Sequence, residues 1–173
     1  MSTINNLKAL ISQKGGFAPA NRFSIMMTPP AGTGGKPEDL TLLCESVIMP
    51  GRTVATLDYQ NEKQQLKMPN ALIEEPVSMT FMLLNDYFIR DMFDKWTLMI
   101  IDTEKYQVAY KENYTTDIII NQLDQTNKTI YSCKLLNAYP TIMSELQLNN
   151  TAENTTLKVT VSFVYDRFEK LET

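Results

Sequence analysis

The sequence predicts a mainly β protein with one principal helix, arranged as an antiparallel β-barrel or sandwich that the helix covers. Three observations point there. Seven or eight short segments alternate apolar and polar residues with period two, and most are separated by turn-forming residues. Only one long stretch, Phe88 to Ile100, carries a strong apolar stripe at helical spacing. The chain has 173 residues, 43% of them hydrophobic and 21% charged, enough to bury a core without disulfides or metals and ordinary for a globular protein. A single domain over 1–173 is expected.

In chain order, Ile4, Leu7, Leu10 and Ile11 recur at helical spacing and Gly15-Gly16 ends the run, so residues 1–16 read as an N-terminal helix or arm. This arm is polar and lacks the apolar core of a signal peptide, and no window reaches a membrane span, so a soluble intracellular product is expected. Arg22 to Met27 reads as a strand. Thr28 to Pro37 is rich in Pro and Gly and reads as a flexible loop. It lacks a Gly-Lys-Ser/Thr ending and a strong following helix, so it is not a phosphate cradle.

Leu40 to Ile48 reads as an apolar strand closed by Met49-Pro50-Gly51. The alternating runs Val54–Tyr59 and Lys63–Met68, separated by Gln60-Asn61-Glu62, predict a projecting hairpin within 51–70. Ala55, Leu57 and Tyr59 share one face, as do Leu66 and Met68, while Pro50 and Pro69 limit pairing into a main sheet. Val77 to Leu84 is a strong strand. Asn85-Asp86 then caps the principal helix, with Phe88, Ile89, Met92, Phe93, Trp96, Met99 and Ile100 inward.

Glu104 to Thr116 reads as loop. Ile118–Asp124 and Thr129–Tyr139 predict a second hairpin that Pro140-Thr141 breaks. Met143–Leu148 and Leu157–Asp166 predict a third pair around a polar loop, Asn149 to Thr156. In its last strand Leu157, Val159, Val161, Phe163 and Tyr165 point inward and Lys158, Thr160, Ser162 and Asp166 outward.

Chemistry is sparse. The chain has no histidine, which removes the commonest general base and metal ligand. Its two cysteines, Cys44 and Cys133, fit no zinc spacing and read as buried thiols, with a disulfide as the alternative. Glu74-Glu75 precedes Pro76 at a strand entry and reads as a solvated loop. Asp86, Asp91 and Asp94 leave a carboxylate-only Mg²⁺ or Ca²⁺ site open, without EF-hand spacing. No serine sits in a nucleophile elbow. The expectation is a structural protein, not an enzyme, without cofactor or metal. A net charge of −4 and dispersed basic residues disfavour a protein that grips nucleic acid.

Several stretches, taken in order, carry a resemblance. They are Asn21-Arg22-Phe23, Cys44 followed by Met49-Pro50-Gly51, the passage from Val77 through Asn85-Asp86 to Trp96, Tyr139-Pro140-Thr141, Glu145-Leu146-Gln147-Leu148, and the strand Leu157 to Asp166. Over about residues 17–168 the chain resembles the tail tube proteins of contractile-tailed bacteriophages. The N-terminal helix and the Pro/Gly-rich loop depart from that pattern and fit a divergent tube protein or a tube-like baseplate protein.

The resemblance implies six copies in a ring, their strands joined into one inner β-barrel, and rings stacked into a tube. Such closure removes open sheet edges, and a head-to-tail contact that closes makes a ring. It implies a virion tail protein assembled in the host cytoplasm. Its partners would be itself, a tail sheath, and baseplate and tail-terminator proteins, and DNA would pass through the lumen without sequence-specific binding. No membrane is implied. The hairpin then becomes the candidate inter-subunit or inter-ring element, through Leu57, Tyr59, Gln60, Asn61, Glu62, Leu66 and Met68; an ordinary surface hairpin is the alternative. Glu145, Gln147, Ser162 and Asp166 are candidates to face the lumen or the sheath. Six copies carry about −24, which predicts a neutral to acidic lumen. The competing functions are a tube initiator in the baseplate, the tube of a bacterial contractile injection system, and, remotely, a lipocalin-like ligand-binding barrel.

Overall fold

A computed structural model describes residues 3–61, 64–104, 106–149 and 155–172. In order these form α1 (Thr3–Gln13), β1 (Phe23–Met27), α2 (Pro37–Leu43), β2 (Cys44–Val47), β3 (Arg52–Asn61), β4 (Gln64–Glu74), β5 (Val77–Met82), α3 (Phe88–Ile100), β6 (Ile101–Asp102), β7 (Gln107–Val108), α4 (Lys111–Tyr114), β8 (Thr116–Leu123), β9 (Thr129–Met143), β10 (Lys158–Val164) and β11 (Arg167–Leu171).

Seven strands make one antiparallel sheet in the order β1-β8-β9-β10-β5-β2, with β11 also on β9. The long strand β9 serves two neighbourhoods. Its residues up to Ala138 pair with β8 and β11, and Tyr139 to Met143 pair with β10. The change of partner falls at Asn137, whose φ of 53° is left-handed. Asp117 accepts its backbone N–H at 3.1 Å, and its side-chain amide donates to Asp166 at 2.7 Å.

Period-two alternation delivers the core. Val77, Met79 and Phe81 of β5 and Val159, Val161 and Phe163 of β10 are buried, and the residues between them are half-buried outside or exposed. Ile25, Ile118, Ile120, Cys133 and Leu135 supply the other half of one continuous buried cluster. Helix α3 closes it with Ile89, Met92, Phe93 and Trp96. Phe93 lies 5.4 Å from Phe81 and 5.9 Å from Phe163 between ring centroids, the latter edge-on. Each such burial is worth about 1.5–3 kcal/mol. Asp86 opens the helix, its carboxylate accepting the Phe88 N–H at 3.1 Å.

Several expectations need correction. Two further helices, α2 and α4, join the N-terminal and principal helices. Residues 40–43, expected as strand, are helical: Pro37 occupies the first turn, where its missing N–H costs nothing, and Glu38 and Asp39 favour the dipole's positive end. The preceding loop is not a free tether. Pro29 and Thr33 are buried, and Gly35 packs so closely that a Cβ would sit 2.4 Å from Met92 Sδ.

Residues 104–116, expected as loop, contain β7 and α4. Pro140 does not end β9. It pairs opposite Phe163 where the register shifts, a position proline tolerates because the ladder is already interrupted. The strand expected over Met143–Leu148 is absent, since β9 ends at Met143 and the chain then runs without regular structure to Asn149. An additional strand, β11, follows Asp166. Cys44 and Cys133 are free and buried, and burial pushes the thiols up to about 12 and about 11 respectively.

Candidate assembly interface

The hairpin β3–β4 forms its own two-stranded sheet and is longer than expected, running from Arg52 to Glu74. Alternation in both strands fixes its faces. Leu57 stands opposite Met68 and Tyr59 opposite Leu66, so four large apolar side chains share one face. They are 59%, 54%, 57% and 49% exposed in that order. The other face pairs Asp58 with Lys67 and Val54 with Leu72. Pro69 lies inside β4, opposite Thr56, at a register shift that adds a residue to β4 and bends the hairpin. Gln60 is exposed near the tip, opposite Gln65. Asn61 ends β3; its side chain and Glu62 lie outside the described residues.

An isolated two-stranded hairpin is marginal in water. Here the root is fastened to the body. Arg52 pairs with Glu74 at 3.1 Å and donates to the Phe168 carbonyl at 2.6 Å, Thr53 donates to the Glu75 carboxylate at 3.0 Å, and Tyr165 donates its hydroxyl to the Glu75 carbonyl at 2.7 Å. The structure thus presents the apolar face as a projecting blade on an anchored root.

A second surface is the outward face of β5 and β10. It is built of hydroxyls in pairs: Ser78 and Ser162 at 2.9 Å, Thr80 and Thr160 at 3.0 Å, with Thr141 donating to the Ser162 carbonyl at 3.2 Å. Lys158, at the start of β10, pairs with Glu45 at 2.6 Å. Each pair shares one hydrogen bond, which leaves one O–H and several acceptor lone pairs per pair and no net charge on these four side chains.

The four residues considered for lumen or sheath do not form one patch. Ser162 belongs to this hydroxyl wall. Glu145 and Gln147 are exposed on the irregular segment after β9. Asp166 lies between β10 and β11, bound by Lys111 at 2.5 Å and by Asn137. Those bonds hold its carboxyl below the ordinary carboxylate range and raise the Lys111 ammonium. Asp117 is likewise lowered, by Lys134 at 2.7 Å.

Sequence reasoning did not find Arg52 or the hydroxyl wall. The wall's signal was present in the Ser/Thr content of the outward positions Ser78, Thr80, Thr160 and Ser162, whereas Arg52 meets Phe168 only across 116 residues of chain. The helix α1 buries no side chain, leaving Ile4, Leu7 and Leu10 exposed. Among the described residues no group of three His, Cys, Asp or Glu side chains is placed to hold a metal.

Known structures share this architecture. The chain is similar, at 18% identity and a TM-score of 0.68, to a component of the PVC sheath–tube complex of an extracellular contractile injection system in its extended state; the match covers 100% of this chain and 99% of that one. A chain of the six-fold symmetrised anti-feeding prophage baseplate aligns at 14% identity and a TM-score of 0.66, covering 90% and 95%. A chain of the PVC sheath/tube terminator in the extended state aligns at 18% identity and 0.62, covering 89% and 96%. No curated protein matches the sequence. The phage tail tube protein family matches residues 18–171, nearly the whole length and including every strand of the main sheet. The chain belongs to the phage tail tube protein family.

Proposed function

We propose that this chain is the tube subunit of a contractile injection machine, six copies closing each ring and rings stacking into a hollow conduit. The observation that carries the reading is the apolar blade of Leu57, Tyr59, Leu66 and Met68, anchored at its root and uncovered within the subunit. Surface of that kind on a soluble protein marks a contact with another chain. A head-to-tail contact between different patches of one chain closes into rings when the rotation permits. Gln60 and Asn61 extend the same element toward its tip. Residues 1–173 act as one tube domain, with the arm 1–16 and the hairpin as its two projections.

The partners that go with this reading are further copies of the chain, a sheath, a baseplate and a terminator, in keeping with the sheath–tube, baseplate and terminator assemblies that contain similar folds. Assembly starts from subunits made in the cytoplasm. The hydroxyl wall that includes Ser162 suits a conduit lining, since its paired hydroxyls are polar and uncharged. A virion tail tube through which DNA passes is the second reading, favoured by the family's own description.

Negative-stain electron microscopy with light scattering over a concentration series tests the proposal. Six-fold rings that stack into long tubes are the expected result. Rings that stay single until another tube protein is added identify a baseplate initiator instead. A monomer at every concentration, and in the presence of a baseplate template, overturns the tube reading.

A further inference from the structure

We infer that Arg52 is a positioning residue that sets the pose of the β3–β4 hairpin for assembly, by latching its root to the C-terminal strand β11. The inference rests on the tube reading for its consequence but not for its geometry. One guanidinium makes three contacts. Its Nε–H donates to Glu74 Oε1 at 3.1 Å, across the first pair of the hairpin. Its Nη2 donates to the Phe168 carbonyl at 2.6 Å, and its carbon lies 3.9 Å from the centre of the Phe168 ring.

Among the described residues strand β11 pairs only with β9, so the Phe168 carbonyl belongs to an edge strand, and Arg52 caps it. The planar fork of arginine can serve a carboxylate and a carbonyl while stacking on a ring; an ammonium cannot do all three.

Glu74 makes the latch tight in one direction. Its Oε2 is buried with no hydrogen-bond partner, so Arg52 carries the compensation of that carboxylate. Without Arg52 the charge is stranded at the hairpin root, and the root opens to reach water. The hairpin would then swing, and each subunit would have to order it on joining a neighbour, which weakens association.

The test compares wild type with Arg52→Ala, Arg52→Lys and the double variant Arg52→Ala with Glu74→Gln. Amide hydrogen exchange is read on the monomer and the assembly threshold by light scattering. In Arg52→Ala, exchange at Thr53 and Ile73 should rise about tenfold while Met79 and Val161 stay unchanged, the mark of local opening. The assembly threshold should rise by a similar factor. Arg52→Lys should fall between, and Glu74→Gln should restore part of the protection. Unchanged root exchange in Arg52→Ala, or an equal rise in the core strands, overturns the latch. A loosened root with an unmoved threshold overturns its role in assembly. Should wild type never assemble, the tube reading fails while the exchange data still decide the latch.

Discussion

Trp96, with no surface exposed, donates its indole N–H to the backbone carbonyl of Tyr114 at 2.7 Å and so ties the principal helix to the short helix α4. The ring of Tyr114 in turn stands edge-on to Tyr139 at 5.3 Å, at the point where β9 changes partner. One side chain therefore links the helix that closes the core to the bend in the sheet. Trp96→Phe removes the donor, strands a carbonyl and leaves a void, at a cost of about 2–4 kcal/mol. Denaturant unfolding followed by circular dichroism should show a lower midpoint with an unchanged slope. An unshifted midpoint would show that the bond is replaceable.

The loop from Thr28 to Lys36 is held by close contact. A Cβ on Gly35 would lie 2.4 Å from Met92 Sδ and 2.7 Å from Pro29 Cγ. The thioether can swing aside, but the buried proline ring has nowhere to go. Gly35→Ala should destabilise by about 1–3 kcal/mol through overpacking. Thermal unfolding reads this directly, and a neutral substitution would mean the loop shifts as a unit.

Both thiols are buried, and burial raises them to about 12 at Cys44 and about 11 at Cys133. The thiolate is the reactive form, so at pH 8 the native chain should hardly react with an aromatic disulfide reagent. In denaturant two thiols per chain should react at once. Prompt labelling of the native protein would contradict the packing around these residues.

Much of this architecture is legible in the sequence because period-two and helical stripes are local signals. Strands β5 and β10, helix α3 and the apolar hairpin face are all of that kind. The misses have local causes too. Residues 40–43 are apolar enough to read as strand, while the helix-starting signals, Pro37 with Glu38 and Asp39, sit outside that run. Pro140 reads as a stop, yet a register shift within β9, where Thr141 is the extra residue, accommodates it. The root of the hairpin was invisible for a different reason: Arg52 and Phe168 meet only because the last strand returns to β9. No periodicity reports that return.

Acid should weaken the fold at a defined place. Hydrogen bonds from Lys111 and Asn137 to Asp166, and from Lys134 to Asp117, lower both carboxyls from 3.8. A carboxyl lower in the folded than in the unfolded state stabilises above the unfolded value, and that contribution is lost as pH falls through the folded one. Lys111 is raised from 10.5, so its contribution is intact below that value and fades above it. Stability from these groups should stay flat from roughly pH 5 to 9 and drop below about pH 4. Thermal midpoints against pH should show this, with a shallower acid drop in Asp166→Asn. An identical drop in that variant would remove Asp166 from the account.

The hairpin separates folding from assembly. Leu57 and Met68 face each other on the blade and are more than half exposed, and neither belongs to the buried core cluster. Replacing both by serine removes little that folding depends on, so monomer stability should change by no more than about 0.5 kcal/mol per site. The same change strips the centre of the apolar face, where a few desolvated side chains carry most of an interface. Rings and tubes should therefore fail to form at concentrations where wild type assembles, while unfolding curves nearly superimpose. Leu42→Ser, at an exposed position on α2, serves as the control and should assemble normally. Tubes formed by the double variant at the wild-type threshold would show that subunits meet through another surface.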